Sequence, residues 1–405
     1  MIALEDRFRS FVQKYILWMT FAAVFACGAF MRYSLRSVVS LDMFADFIPW
    51  MSALQSGGIQ GLLSQFPNFP YSAMHVYVWS LAAMVFPHMT TITLLKAVVI
   101  AFDALQIAVG CAIVWQMLPK ARRLTGLFTA FTLLWMNPIL LLNAAAWGQT
   151  DVIYLGFSLL SLLFLFRQKP AFAMLSFGLA LAFKLQAVFL LPALFILYFC
   201  FEKKFSILWF LLIPAVWFIV RIPLQLMDSG MATAAEFFST QTSAYSAATM
   251  NAPNLHALLG DAVKSPLLSK ALWEHYSIIL TVTALGGMAT WMVWKQVKLD
   301  KQTALLLCAW SVLTCVFLLP HMHERYSIVG EIFLLLWAVL LHKPRGIFYM
   351  LLSMLPVISA YCNYLLDREA FSLQLGGAMN LVLLLMLTWE LVRQGKENLD
   401  DASSE

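Results

Sequence analysis

Twelve apolar runs of roughly helical-span length set the limits on what this chain can fold into. They lie at 15–31, 91–117, 125–143, 152–167, 169–184, 186–200, 205–222, 276–295, 303–319, 326–341, 346–361 and 374–393. A helix crossing a bilayer needs about 20 mostly apolar residues, and a chain in lipid must satisfy its backbone polar groups internally. With 62% hydrophobic and 12% charged residues, the chain is far from the mix of a soluble globule. The expected fold class is an all-α polytopic membrane protein of about 12 transmembrane helices (11–13). A single integral membrane domain spans 1–405.

A further apolar segment, 73–87, decides the topology. If it spans, Lys120, Arg122 and Arg123 fall outside and every later loop is inverted. If it lies in the interface or re-enters, the short basic connections share one side, as positively charged cytoplasmic loops do. Those connections are Arg7/Arg9/Lys14, Lys120/Arg122/Arg123, Arg167/Lys169, Lys203/Lys204, Lys295/Lys298/Lys301, Lys343/Arg345 and Arg393/Lys396. That consistency favours both termini in the cytoplasm of a multi-pass plasma-membrane protein. Two long segments, 32–90 and 223–275, then lie outside, the first with room for interfacial helices.

The net charge of +5 is spread over the cytoplasmic loops, where it reports orientation and gives no reason to expect a nucleic-acid partner. Six cysteines sit in or at the ends of runs without paired spacing, as small apolar fillers rather than disulfide or metal-ribbon partners. Met1–Lys14 is polar and no small-residue cleavage site follows, so the first run is expected to stay as an anchor. No Asn-X-Ser/Thr acceptor occurs, which is compatible with a prokaryotic source.

The polar residues that do not serve topology gather on the outer side. His321-Met322-His323-Glu324-Arg325-Tyr326 packs ionisable groups between two runs, where they are costly and therefore functional candidates. His321 and His323 have no third ligand at suitable spacing, so no metal site is expected. In the first outer segment Asp42 and Asp46 are four apart and share one face of a helix, with Met43, Phe44, Phe47 and Trp50 able to lie in the membrane interface. Close like charges raise the pKa of one carboxylate, which suits a general base; the plainer reading has Asp42 capping a surface helix.

Trp147-Gly148-Gln149-Thr150-Asp151 reads as a helix stop at Gly148 and a restart at Thr150 or Asp151. It also places an amide beside an aromatic plate, a common way to hold a sugar. Lys184 and Gln186 mark a tight outer turn, in which Lys184 either snorkels to headgroups or meets a substrate anion. Met250 to His256, with Asn251 and Asn254, reads as a turn. Together these residues offer a base, a sugar cradle and an anion clamp.

The order of these motifs resembles that in GT-C glycosyltransferases: an acidic residue in the first outer loop, Trp147 to Asp151, Phe183-Lys184-Leu185-Gln186, Asn251 to Asn254, then His321 to Tyr326. The chain is most similar to bacterial proteins described as similar to the second GPI mannosyltransferase. More distantly it resembles the ER glucosyltransferases that extend the lipid-linked oligosaccharide. The resemblance covers about 30–330.

It implies a GT-C-like membrane enzyme, a mannosyl- or glucosyltransferase, that moves a hexose from a polyprenyl-phosphate carrier to an acceptor hydroxyl at the outer face, with inversion. The acceptor would be a lipid-linked glycan, an envelope polymer or a protein. By the same resemblance Asp42 serves as base with Asp46 in reserve, and Gln149 and Asp151 hold sugar or acceptor. Lys184, His323 and Arg325 bind the carrier phosphate, and Trp147, Gln186, Asn251, Asn254, His321 and Glu324 complete the substrate site. No cofactor is expected beyond the lipid-linked donor, and membrane lipids are the expected surroundings. Leu41-Asp42-Met43 departs from the Gly-Asp-Tyr context of the ER enzymes, which leaves the choice between Asp42 and Asp46 open.

A flippase or transporter of lipid-linked saccharides would also need an outer polar cavity, with charges near mid-membrane. Lys96, Asp103 and Glu331 are the nearest to such charges, and Lys96 and Asp103, seven apart on one helix face, are placed to pair. A polysaccharide polymerase or ligase would share the chemistry and differ in acceptor.

Overall fold

A helix occupies every one of the twelve apolar runs in the computed structural model, which describes residues 2–67, 69, 71–227, 247–260 and 270–404. Parts of the segment 223–275, at 228–246 and 261–269, lie outside the described residues. Among the described residues, seven helices are long and apolar enough to cross a membrane: Leu4–Leu35, Thr91–Met117, Ile207–Met227, Leu272–Trp294, Lys301–Leu318, Pro344–Leu366 and Leu373–Glu397. The pair Lys120–Trp135 and Pro138–Trp147, bent by 40°, makes an eighth if it forms one span. Five shorter apolar helices of 10–17 residues complete the set. The protein is therefore an all-α polytopic membrane protein. Length and composition by themselves mark fewer spans than the twelve runs.

Local chemistry starts and stops these helices. Asp300 caps Lys301–Leu318 by accepting from the Thr303 amide at 2.8 Å, and Asn137 caps Pro138–Leu140 by accepting from Ile139 and Leu140. Pro138, Pro170 and Pro344 stand at first helical positions, where a missing amide hydrogen leaves nothing unpaired.

Two buried charges in the helix bundle serve packing. Asp103 does not pair with Lys96, as their spacing led one to expect; it accepts from Arg32 of the first helix, with Nη2 at 2.7 Å and Nε at 2.8 Å. The Arg32 guanidinium also donates to the Trp135 carbonyl at 2.8 Å and lies 3.8 Å from that indole's centroid. Lys96 donates to the carbonyls of Ala145 and Ala146, both at 2.7 Å. Spacing on one helix showed which residues share a face, but the partners came from helices distant in sequence.

The segment 32–90 folds over the bundle. Helices Ile48–Gln65 and Ala73–Val85 close around Trp50, Phe69 and Trp79, which pack with Leu94 and Leu95 of Thr91–Met117. Here the expectation of an interfacial apolar face needs correction: Met43, Phe47 and Trp50 are at most 4% exposed, and only Phe44, at 74%, faces outward. The buried three fill the space between this segment and the bundle. Ala73–Val85 has 13 residues, about 20 Å of helix.

Further along, Thr249–Met250 (β1) pairs in parallel with Met322–His323 (β2), with Thr249 opposite Met322 and Met250 opposite His323. This short ladder fastens the segment around Thr249 to the His-Met-His-Glu-Arg string.

Candidate active site

Two π-helical segments bring the first carboxylate and its donors together. Met43–Phe47 follows Asp42, and Leu141–Trp147 ends at Gly148. Single-turn π segments occur often at functional sites, because the wider turn re-aims side chains. Gly148 has φ 77°, a left-handed conformation that suits glycine, and a Cβ there would stand 2.6 Å from Met43 Sδ. The Lys96 ammonium meets the carbonyls at the end of the second segment, where a helix gathers partial negative charge. Trp147 and Gln149 are thereby fixed against Asp42.

Asp42 is held from several sides. Tyr364 Oη donates to Oδ1 at 2.5 Å, while Oδ2 accepts from Trp147 Nε1 at 3.2 Å and from Gln149 Nε2. Arg325 Nη1 approaches Oδ2 to 3.9 Å. The Tyr364 ring stacks on Trp147 with centroids 4.3 Å apart, and the Arg325 guanidinium lies 5.1 Å from the Trp147 centroid.

A second buried carboxylate, Asp151, accepts from Lys184 and, at 3.0 Å, from Asn143. Arg325 Nε stands 3.9 Å from Asp151 and its Nη1 3.4 Å from Glu324, so one guanidinium is shared by three carboxylates. His323 Nδ1 also lies 3.4 Å from Arg325 Nη1.

A cavity of about 700 Å³ is lined by Asp42, Asp46, Lys184, Gln186, Asn251, His323, Glu324 and Arg325, among others. A space of this size suits a small molecule or a sugar with part of its carrier. Trp147, Gln149 and Asp151 do not line it. They are fully buried, with the Gln149 amide nitrogen given to Asp42 and the Asp151 carboxylate to Lys184.

Asn254 is also off the cavity, capping Leu255–Leu259 by accepting from the Ala257 amide at 3.0 Å. His321 has φ 61°, its Nδ1 lies 2.7 Å from the Ala247 carbonyl and its Nε2 3.6 Å from Glu274. It is therefore turned to different partners from His323. Asn251, at φ 63°, donates to the Ala360 carbonyl at 2.8 Å and accepts from Asn363 at 3.0 Å, tying its turn to the helix that carries Tyr364.

Electrostatics divides the wall residues. Burial, then the charge of Asp42, raises the Asp46 carboxyl above its usual value. Burial lowers His323 to about 2, helped by the Arg325 and Lys184 charges, so its imidazole is neutral at ordinary pH. Burial pushes Glu324 up to about 7 against the pull of Arg325. Burial opposes the charge on Arg325, yet Tyr326, Glu324, Asp151 and Asp42 around it hold that charge more firmly still.

Sequence reasoning missed Tyr364, Tyr71 and His75, all on the cavity wall. His75 bridges Ser72 Oγ and Thr150 Oγ1, each at 2.9 Å, and Ser72 in turn donates to the Phe183 carbonyl at 2.9 Å. The signal available for Tyr364 was its place just past run 346–361, at the end of the bundle shared with Asp42.

Comparison with known proteins agrees with a glycosyltransferase. No curated protein matches the chain. A model of glycosyltransferase family 87, a GT-C-type family, matches residues 78–320. The match takes in Trp147, Gln149, Asp151 and Lys184, and ends just before His321. It covers more than half of the sequence, and the chain belongs to glycosyltransferase family 87.

Proposed function

We propose that the chain transfers a hexose, mannose or glucose, from a polyprenyl-phosphate carrier to an acceptor hydroxyl at the extracytoplasmic face of the cell membrane, with inversion. The observation that carries this reading is the single cavity whose walls hold carboxylates at Asp42, Asp46 and Glu324, cations at Lys184 and Arg325, and amides at Gln186 and Asn251. Asp42 is the general base and Asp46 its alternate. Base and acceptor oxygen act in one displacement: the carboxylate takes the hydroxyl proton, the oxygen bonds the anomeric carbon, and the carrier phosphate leaves with the broken bond's electrons.

Arg325 and Lys184 meet that phosphate, since donors fixed beforehand stabilise charge that develops as the bond breaks. The loose 3.9 Å contact from Arg325 to Asp42 is one that a phosphate oxygen can replace. Tyr364, Trp147 and Gln149 hold the base in place, and Asp151 holds Lys184. No cofactor takes part, and the acceptor is a glycan, lipid or protein.

Twelve spans follow if the bent pair is one crossing and four of the five shorter helices also cross, leaving Ala73–Val85 in the interface. At about 20 Å that helix is short for a hydrocarbon core of about 30 Å. Its interfacial placement keeps the basic loops cytoplasmic.

The test is purified protein with polyprenyl-phosphate mannose or glucose and a membrane-lipid extract as acceptor. Release of polyprenyl phosphate with a new glycosidic product is the expected result. Donor that crosses liposomes uncleaved, with no product from either hexose, would replace transfer by transport. Lipids of a deletion strain should accumulate the lipid-linked sugar and lack one envelope glycan.

A further inference from the structure

The turn that carries Ser72 and His75 joins the two helices whose ends supply the Lys184–Asp151 ion pair. Ser72 Oγ lies 2.9 Å from the Phe183 carbonyl, and His75 Nε2 lies 2.9 Å from Thr150 Oγ1. Phe183 ends helix Pro170–Phe183 just before Lys184, and Thr150 stands just before helix Asp151–Phe166. Although Thr150 occupies the cap position of that helix, its hydroxyl makes no capping bond. Ser72 Oγ and His75 Nδ1, 2.9 Å apart, close the connection.

Counting donors assigns the protons. A carbonyl only accepts, so the single Ser72 hydroxyl hydrogen goes to Phe183, and His75 Nδ1 must donate to Ser72 Oγ. Burial, then the Lys184 charge, lowers His75 to about 3, so its imidazole is neutral and Nε2 carries no hydrogen. Nε2 therefore accepts from Thr150. Three hydrogen bonds run in one direction, from Thr150 through His75 and Ser72 to the carbonyl before Lys184, and bonds so aligned polarise one another. The imidazole also packs edge to face on Phe183 and Tyr71, with centroids 5.4 and 4.8 Å apart.

We propose that His75, held as the Nδ1–H tautomer, is a positioning residue that aims the Lys184 ammonium at a lipid phosphate in the cavity. Lysine is a point charge on a flexible four-carbon stem. Asp151 fixes the tip of that stem, and the His75 chain fixes the backbone at its base against the helix that carries Asp151. The phosphate as ligand rests on the transfer reading above; the clamp itself rests on the contacts.

Binding of polyprenyl phosphate to the detergent-purified protein tests the clamp without any transfer. His75→Phe keeps a packed ring and removes both side-chain bonds, and should weaken this binding about 10-fold. Thr150→Val keeps the shape, removes one bond and should weaken it by less. Polyprenol, which lacks the phosphate, should bind the wild type and both variants alike, as mere damage to the fold would not allow. In a Lys184→Ala background His75→Phe should cost nothing further, because the clamp acts through Lys184. Solid-state NMR with isotope-labelled histidine should show a His75 signal, lost in His75→Phe, with hydrogen on Nδ1 and none on Nε2.

A hydrogen on Nε2 would overturn the proposal. So would phosphate binding in either variant equal to wild type, polyprenol binding that falls alongside it, or a full further loss in the Lys184→Ala background. A wild type that binds polyprenyl phosphate no better than polyprenol would overturn it as well. The binding results as stated, with no transfer from either hexose donor, would uphold the clamp and count against the transfer reading alone.

Discussion

Tyr364 donates its hydroxyl to Asp42 Oδ1 at 2.5 Å, joining the end of helix Pro344–Leu366 to the segment 32–90. The same ring stacks on Trp147, whose indole donates to the other oxygen of Asp42. A carboxylate fixed on both oxygens has its direction set before an acceptor arrives, and such prepositioning lowers the reorganisation needed at reaction.

Asp42→Asn should therefore abolish transfer while leaving folding and donor binding nearly intact, a loss on the order of 100- to 10,000-fold for a general base. Tyr364→Phe keeps the stacked ring and removes one donor to a charged group, worth about 10- to 100-fold in kcat. Both are read from rates with saturating donor. Activity kept in Asp42→Asn but lost in Asp46→Asn would move the base to Asp46, and activity kept in both would end the mechanism.

Much of this site was legible in the sequence because ionisable residues stand out in a chain this apolar. Asp42, Lys184 and Arg325 were located by type and topology, and the structure brings all three to one cavity. The depth of each polar group was not legible. Gln149 and Asp151 have the chemistry of sugar ligands, but that chemistry is equally suited to holding Asp42 and Lys184, and only tertiary packing decides between the two. Tyr364 and His75 are hidden by apolar neighbours, and their roles depend on contacts with residues 322 and 75 positions away.

The shared guanidinium predicts a graded response. Arg325→Ala should raise donor KM and lower turnover, and Arg325→Lys should restore only part, because an ammonium keeps the charge and loses the forked geometry that reaches Asp42, Asp151 and Glu324 together. Lys184→Ala should weaken donor use as well, with Asp151 left to Asn143 and Arg325. Donor KM and kcat unchanged in both alanine variants would make these cations structural only.

Arg32 and Asp103 predict a stability effect without a catalytic one. Their side chains are 3% and 0% exposed and 2.7 Å apart, so removing one partner leaves a buried charge without compensation. Asp103→Ala should cost about 3–5 kcal/mol, read as an earlier melting transition in detergent. A double change of Arg32→Met with Asp103→Leu should recover much of that loss, as apolar replacements of buried pairs often do. A melting transition unaffected by Asp103→Ala would show that the pair does not hold the first helix to the bundle.

Topology underlies the site predictions, because Asp42 and Arg325 are 3.9 Å apart and must share one face of the membrane. Helix Lys301–Leu318 has 18 residues, about 27 Å, and leads from the loop of Lys298 to the string holding Arg325. At its start Leu299 bridges to Phe201, which brings the loops of Lys204 and Lys298 together at the end away from the site. Positive loops remain cytoplasmic, so the site end should face outward. Single cysteines near Ser56 and Asp367, both exposed, should react with an impermeant thiol reagent added to intact cells. Those near Arg123, Lys204 and Lys298 should react only after permeabilisation. Outside labelling near Arg123 with protection near Asp367 would invert the protein and place the cavity in the cytoplasm.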